Sequence, residues 1–226
     1  IECLIAGENL GYAKGNNLGL SKVKTKYALI LNPDAKLEKN TLSNFINSAA
    51  KIKNFAIIGP AIQDEKNTKN NIKKLTEVDS VKGFAMFLNL EEFNDIGFFD
   101  DNFFIYLEEI DLSKRIKNMK KKIFVDPSIL IHHQGGSSHD EQYNSEMELS
   151  RNWHWMWSTF YYTKKHKGFL YALLHVSDKL ISGLIKYIFY SLTLKNSKKL
   201  IYQHRLSGLF NSIIGKPSWF RPFNNN

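Results

Sequence analysis

Apolar residues in this chain fall into short runs that end at turns, alternating with stretches whose apolar positions recur at helical spacing. Tyr27–Leu31 is such a run, and it stops at Asn32-Pro33-Asp34 as a buried strand stops at a turn. Thr41 then precedes Leu42, Phe45, Ile46 and Ala49, which share one face of a predicted helix with Asn40 or Thr41 as its cap. Residues 55–58, ending at Gly59-Pro60, read as a second strand and residues 81–90 as a third. Residues 122–125, ending at Asp126-Pro127, read as a fourth, and a helix is predicted over roughly residues 107–119. The lysine- and asparagine-rich residues 64–74 read as an exposed loop. Alternation of this kind predicts an α/β sheet with helices on its faces, in which ligands gather at the carboxyl ends of strands. Three polar clusters are expected at such ends: residues 9–17, 32–34 and 131–138.

Composition sharpens this picture in two places. With 226 residues, 43% of them hydrophobic, the chain can bury a core, which excludes a wholly disordered polypeptide. The single cysteine, Cys3, excludes an intramolecular disulfide framework and fits a reducing compartment. The net charge of +9 is an average of two unlike parts. Residues 1–150 carry 19 basic and 21 acidic side chains; residues 151–226 carry 12 basic side chains and one acid, Asp178. All four tryptophans lie in the second part. A near-neutral body of residues 1–150 and a basic, aromatic, mainly helical region of residues 151–226 are therefore expected, and so is a partner for the latter. Ile181, Leu184, Ile185, Ile188, Phe189 and Leu192 recur at helical spacing there, with Lys179, Ser182 and Lys186 on the other side. That segment reads either as a helix packed on the body or as an interfacial helix on an anionic bilayer. Residues 180–194 come nearest to a membrane span, but they are short and interrupted by Lys186.

Four clusters have residues suited to chemistry. Residues 9–19 hold three glycines and three asparagines, which supply turns, left-handed backbone positions and uncharged donors and acceptors. Their spacing is neither the dinucleotide fingerprint nor a phosphate loop ending in Lys-Ser or Lys-Thr. Asp34, at the end of a strand, is a natural ligand for a hard divalent cation, or simply the acid of an Asp-Pro turn. Glu108 and Glu109 open a predicted helix, where acids are favoured by the helix dipole; they read either as a solvated acidic first turn or as crowded like charges that raise a carboxyl pKa toward that of a general base. Asp111 and Arg115, four apart, can pair on that helix. His132 and His133, before Gly135-Gly136, offer imidazole nitrogen to a metal ion.

Taken in order, these clusters resemble the inverting family 2 glycosyltransferases, in particular the rhamnosyltransferase-like branch of bacterial surface-polysaccharide synthesis. The resemblance runs from about residue 8 to residue 138. Residues 9–19 are similar to that family's Asn-x-Gly-aromatic…Gly-Asn-Asn-x-Gly segment, and Leu31-Asn32-Pro33-Asp34 to its form of the acidic metal motif. Lys82-Gly83-Phe84-Ala85-Met86 and Ile96-Gly97-Phe98-Phe99-Asp100 are similar to segments that shape the acceptor side. Residues 104–115 resemble its Phe-x-x-Tyr-x-Glu-Asp-x-Asp-Leu-x-x-Arg signature, and residues 131–138 its Val-x-His-x-x-Gly-x-Ser pattern, which matches His133 rather than His132.

The resemblance implies a GT-A fold, an α/β sandwich around a mostly parallel sheet, and a single in-line displacement at the anomeric carbon of a UDP- or dTDP-linked sugar. Glu109, with Glu108 next in line, would take the proton of the acceptor hydroxyl. Asp34 and His133 would hold Mn²⁺ or Mg²⁺, while Gly11, Gly15, Asn16, Asn17, Asn32 and Asp34 would line the donor site. Asp111 and Arg115 would hold the helix in place. The acceptor would be a glycan, carried on a lipid, and the enzyme a cytoplasmic protein held peripherally at the inner face of the cell membrane. Two departures stand out: Glu109 occupies the place of the family's Asp, and only seven residues stand where the family's first strand and helix would precede residue 8. The chain begins with Ile1, so the expectation is either a truncated domain or a remnant with impaired donor binding, serving as an assembly partner. A nucleic-acid-binding module would account for the basic region but leaves the ordered motifs without a role.

Overall fold

A computed structural model describes residues 2–61, 74–133 and 141–222. The predicted loop at 64–74 therefore lies almost wholly outside the described residues, as do Gln134–Ser138 of the last motif. The chain divides into two compact units. One, the sheet unit, comprises Asn16–Phe99 and Glu109–Ser138; the other, the helical unit, comprises Ile1–Gly15, Asp100–Glu108 and His139–Asn226.

In chain order the elements are α1 (Gly11–Leu20), β1 (Tyr27–Leu31), β2 (Ala35–Leu37), α2 (Thr41–Lys51), β3 (Ile57–Pro60), β4 (Thr76–Val78) and β5 (Ala85–Asn89). They continue with α3 (Glu108–Asn118), β6 (Ile123–Asp126), β7 (Ile131–His133), α4 (Asn144–Lys167), α5 (Phe169–Leu192) and α6 (Asn196–Ile213).

The sheet unit carries a five-stranded sheet in the order β1-β5-β3-β6-β4. β5 is antiparallel to both β1 and β3, β3 is parallel to β6, and β4 is antiparallel to β6. The sheet is thus mixed: β1, β3 and β6 run one way and β5 and β4 the other. β3 and β5 are buried along their whole length, which is why they read as continuous apolar runs rather than as alternating ones. Gly59 lies where β3 meets Val81: a Cβ there would come within 2.7 Å of the valine side chain. Beneath the sheet, Phe45, Phe55, Phe87, Ile58 and Ile129 form one core, with the Phe45 and Phe87 rings 5.1 Å apart and stacked. Each such ring contributes roughly 1.5–3 kcal/mol by leaving water.

Helix α2 differs from its apolar pattern. Phe45 and Ala49 face the core, but the other inward positions belong to Thr41 and Ser48, while Leu42 and Ile46 are exposed. Hydrogen bonding makes this arrangement affordable: Thr41 donates to the Leu130 carbonyl (2.7 Å), and Ser48 donates to Asn44 and to Asp126. Asn40 is the cap residue, without a side-chain capping bond.

In the helical unit α4 packs on both α5 and α6. Met156, Phe160, Ala172, Val176 and Leu209 form its core. Gly208 permits the closest approach, since a Cβ there would meet the Trp153 carbonyl oxygen at 2.1 Å. The indole nitrogens are satisfied: Trp157 donates to the Lys216 carbonyl (3.0 Å) and Trp153 to the Ser207 hydroxyl (3.2 Å).

Of the two readings of the α5 stripe, the one that packs its large apolar residues on the body does not hold. The helix buries Ala172, Val176 and Gly183, whereas Ile181, Leu184, Ile185, Ile188, Phe189 and Leu192 are all exposed. Small residues face α4 and α6 because the helices lie close; the large apolar side chains are left on the outside. Among the described residues no helix is long and apolar enough to cross a membrane.

Candidate active site

The polar motifs occupy particular ends of these elements. Residues 9–17 do not follow a strand among the described residues; they form the entry to α1. Asn9 Oδ1 accepts a hydrogen bond from the Gly11 amide (3.1 Å), and Tyr12 donates its amide to the Phe104 carbonyl (2.7 Å). Gly11 has φ 73°, and a Cβ there would lie 2.4 Å from Phe104, so only glycine fits. Gly11, Gly15 and Glu108 lie in the helical unit, whereas Asn16, Asn17, Asn32, Asp34, Glu109, Asp111, Arg115 and His133 lie in the sheet unit.

Within the sheet unit, Asn17 clasps the backbone of Phe99: its Nδ2 donates to the Phe99 carbonyl (2.9 Å) and its Oδ1 accepts the Phe99 amide (3.1 Å). Both polar ends of that side chain are thereby engaged. Asn32 and Asp34 occupy the turn after β1. The Asn32 amide donates to the Phe84 carbonyl (2.9 Å), and the Ala35 amide returns to the Asn32 carbonyl (3.0 Å). The first bond ties the β1 turn to the segment Lys82-Gly83-Phe84, and the second closes the turn on itself.

Immediately beyond the turn, β2 pairs antiparallel with β7 in the register Ala35↔His133, Lys36↔His132 and Leu37↔Ile131. Neither three-residue strand was legible as such, yet together they bring the backbones of Asp34 and His133 to one end of a ladder. His132 is engaged elsewhere, its Nε2 2.5 Å from Glu38 Oε1 in an exposed pair. Among the described residues no group of three His, Cys, Asp or Glu side chains stands ready to hold a metal ion. Asp34 and His133 are nonetheless a fitting pair in kind: a hard carboxylate oxygen and an imidazole nitrogen suit Mn²⁺ or Mg²⁺ when ligand phosphates complete the shell.

Glu109 sits in the first turn of α3. Burial pushes its carboxyl above the usual glutamate range, opposed by the helix-terminal amides of Glu109 and Ile110 and by the charge of Lys82. A carboxylate with raised proton affinity that feels the charge of Lys82, on a unit that also carries the Asn32–Asp34 turn, is suited to general-base work. The rest of α3 is anchored by a clamp. Arg115 Nε donates to the buried Asp111 (2.9 Å), Nη1 to the Ile96 carbonyl (2.7 Å), and Nη2 to the Phe98 carbonyl.

In the helical unit, Glu108 is buried and its charge, together with burial, raises the Tyr106 pKa, while Arg151 opposes both. Tyr106 and Leu107 have φ of 74° and 68°, left-handed conformations unusual for such side chains. No sequence signal marked that pair. The network around Asp100 was likewise missed. Burial favours its protonated form, but hydrogen bonds from Lys165, Asn102 and Tyr161 outweigh this and lower the pKa to about 2.

This arrangement is a GT-A-like glycosyltransferase fold with a helical carboxyl-terminal part, and comparison with known proteins agrees. The mannosyltransferase PcManGT from Pyrobaculum calidifontis, solved in complex with GDP-Man and Mn²⁺, superposes with a TM-score of 0.53 at 12% identity. The match covers 90% of this chain and 66% of that one. The low-salt glycan biosynthesis hexosyltransferase Agl10 of Haloferax volcanii is 26% identical over 143 residues, which are 52% of this chain. The aligned part spans 46% of that relative's length. No protein-family model matches the chain.

Proposed function

We propose that this chain is the catalytic part of an inverting glycosyltransferase of family 2, akin to the rhamnosyltransferase-like branch. It would move a hexosyl unit from a UDP- or dTDP-linked donor to a lipid-linked glycan acceptor in surface-polysaccharide synthesis. The observation that carries this reading is Glu109: a carboxyl of raised proton affinity at the start of α3, feeling the charge of Lys82, in the unit that bears the Asn32–Asp34 turn. The similarity to a hexosyltransferase and to a mannosyltransferase fold supports it.

In this reading Glu109 accepts the proton of the acceptor hydroxyl as that oxygen attacks the anomeric carbon, and the nucleoside diphosphate leaves on the opposite face. Asn16 and the Asn32 turn, both in the sheet unit, would contact the donor, and Asn17 fixes the start of that unit by clasping the Phe99 backbone. Asp34 and His133 would hold Mn²⁺ or Mg²⁺, which neutralises charge growing on the leaving diphosphate. Asp111 and Arg115 keep α3, and with it Glu109, in register. The basic region, residues 151–226, holds the protein peripherally at an anionic membrane surface on the cytoplasmic side, where a lipid-linked acceptor is presented.

Replacing Glu109 by Gln keeps the shape and removes the base. Turnover with a nucleotide-sugar and a lipid-linked acceptor is expected to fall by about 10²–10⁴-fold. Stabilisation by the nucleotide-sugar in a thermal-shift assay is expected to persist. Wild-type turnover in that variant would move the base elsewhere, with Glu108 next to be tested.

A further inference from the structure

A cavity of about 320 Å³ opens in the helical unit between α4 and α5, with Leu107 also on its wall. Its walls are two facing helical rows. From α4 come Trp155, Thr159 and Tyr162; from α5 come Tyr171, His175 and Lys179, spaced i, i+4, i+8. Lys167 closes one end, its Nζ held 3.2 Å from the Tyr171 hydroxyl and 4.6 Å from the centre of that ring. Among the described residues no carboxylate lines the cavity; Asp178 lies 3.6 Å from Lys179, turned largely to solvent. Two ammonium groups, an imidazole and three aromatic faces make a site for an anion borne on an apolar or sugar-like body.

What borders the cavity says what that body is. On α5 the row Leu170, Leu174, Ile181, Ile185, Ile188 and Leu192 lies beside the cavity-lining row. Leu170, Leu174 and Leu192 are 76%, 76% and 79% exposed, so large apolar side chains face solvent on both stretches of this row, with Ser177 and Asp178 between Leu174 and Ile181. The surrounding region carries 12 basic side chains against Asp178 alone. A second copy of the chain would set those cations against one another, whereas a nucleic acid would leave the apolar strip in water. A phosphorylated lipid satisfies both features at once.

We propose that the α4–α5 cavity binds the terminal phosphate of a phosphorylated lipid, with Lys167, His175 and Lys179 around the anion and the hydrocarbon laid along the exposed row of α5. This adds a lipid-holding site to the proposed placement at the membrane and rests on that reading only for the lipid's being the carrier on which glycan acceptors are built.

The test is sedimentation of the full chain with three kinds of vesicle: phosphatidylcholine alone, phosphatidylcholine with a polyprenyl phosphate, and phosphatidylcholine with phosphatidylglycerol at equal charge. Binding is expected to be strongest to the polyprenyl phosphate, because a monoester presents more charge to the site than a diester. Lys167→Ala/Lys179→Ala should cut that binding by about thirtyfold and abolish the preference over phosphatidylglycerol. Leu174→Asp/Ile185→Asp, at exposed positions, should abolish binding to all vesicles, with circular dichroism confirming the helices. An absent preference in the wild-type chain, or an unchanged one in the lysine variant, overturns the proposal. Competition by millimolar inorganic phosphate strong enough to release the protein from polyprenyl phosphate also overturns it, in favour of a free-phosphate site. None of these arms contains a sugar donor, so their failure leaves the transferase reading standing; loss of transfer without loss of vesicle binding would refute that reading alone.

Discussion

At the scale of single residues, Glu109 is defined by two opposing influences. Burial holds its proton more tightly, and the helix-terminal amides of Glu109 and Ile110 together with the charge of Lys82 loosen it. If Glu109 is the base, the rate of transfer should climb with pH along a limb whose midpoint lies above the ordinary glutamate value of about 4.3. Lys82→Ala removes the opposing charge and should move that midpoint further up, whereas Lys82→Arg should leave it nearly in place. A pH profile of kcat for the three proteins checks both directions. For folding the sign is the reverse of a paired carboxylate. A raised folded-state pKa favours the native state at low pH, and that contribution is lost as pH rises from the unfolded value through the folded one. The proposed base therefore costs some stability at neutral pH.

At the scale of elements, α3 owes its position to the Asp111–Arg115 pair and to the carbonyls of residues 96–98 that the guanidinium gathers. Asp111 is fully buried, so Arg115→Ala leaves a carboxylate in the interior without its main counter-charge. A loss of about 3 kcal/mol in urea unfolding is expected, together with a drop in turnover larger than any drop in donor affinity; Arg115→Lys should recover only part, because an ammonium cannot reach the several acceptors that the fork does. This pair was readable from spacing alone, as were β1 and the extent of α3, because each is local. What was not readable depends on distant partners. β2 and β7 are three-residue strands that exist through each other, so nothing in Ala35-Lys36-Leu37 marks a strand. Thr41 and Ser48 displace Leu42 and Ile46 from the inner face of α2 because carbonyl and carboxylate acceptors wait for them across the core. The α5 stripe carried helical periodicity without saying which side faces the protein. Ala172, Val176 and Gly183 mark the packed side, and small residues are a quieter signal than leucines.

At the scale of the molecule, the net charge of +9 conceals a division that the structure gives a chemical form. The basic side chains of the helical unit surround an interior holding a neutral imidazole. His154 is stacked on Phe104 with ring centres 4.5 Å apart and bonded through Nε2 to the Phe220 carbonyl (2.8 Å). Burial, reinforced by the charge of Arg221 and opposed by the Phe220 carbonyl, lowers its pKa to about 4. Between the ordinary value near 6.5 and that value the unfolded chain binds a proton that the folded unit refuses. The stability His154 contributes is thus complete above pH 6.5 and disappears as pH falls through 4, an effect of roughly 3 kcal/mol. Asp100 adds a second step below it: its contribution is lost from the usual aspartate range down to about 2, and is nearer 1–2 kcal/mol after solvent screening. All four tryptophans lie in the helical unit, so tryptophan emission, excited selectively at wavelengths where tyrosine does not absorb, follows that unit alone. The melting temperature read from tryptophan emission should fall steadily between pH 7 and pH 4. His154→Gln, which keeps a donor for the Phe220 carbonyl but cannot take up a proton, should flatten most of that decline while lowering the neutral-pH melting temperature through lost ring stacking. An unchanged slope in that variant would assign the acid sensitivity of the helical unit to other groups.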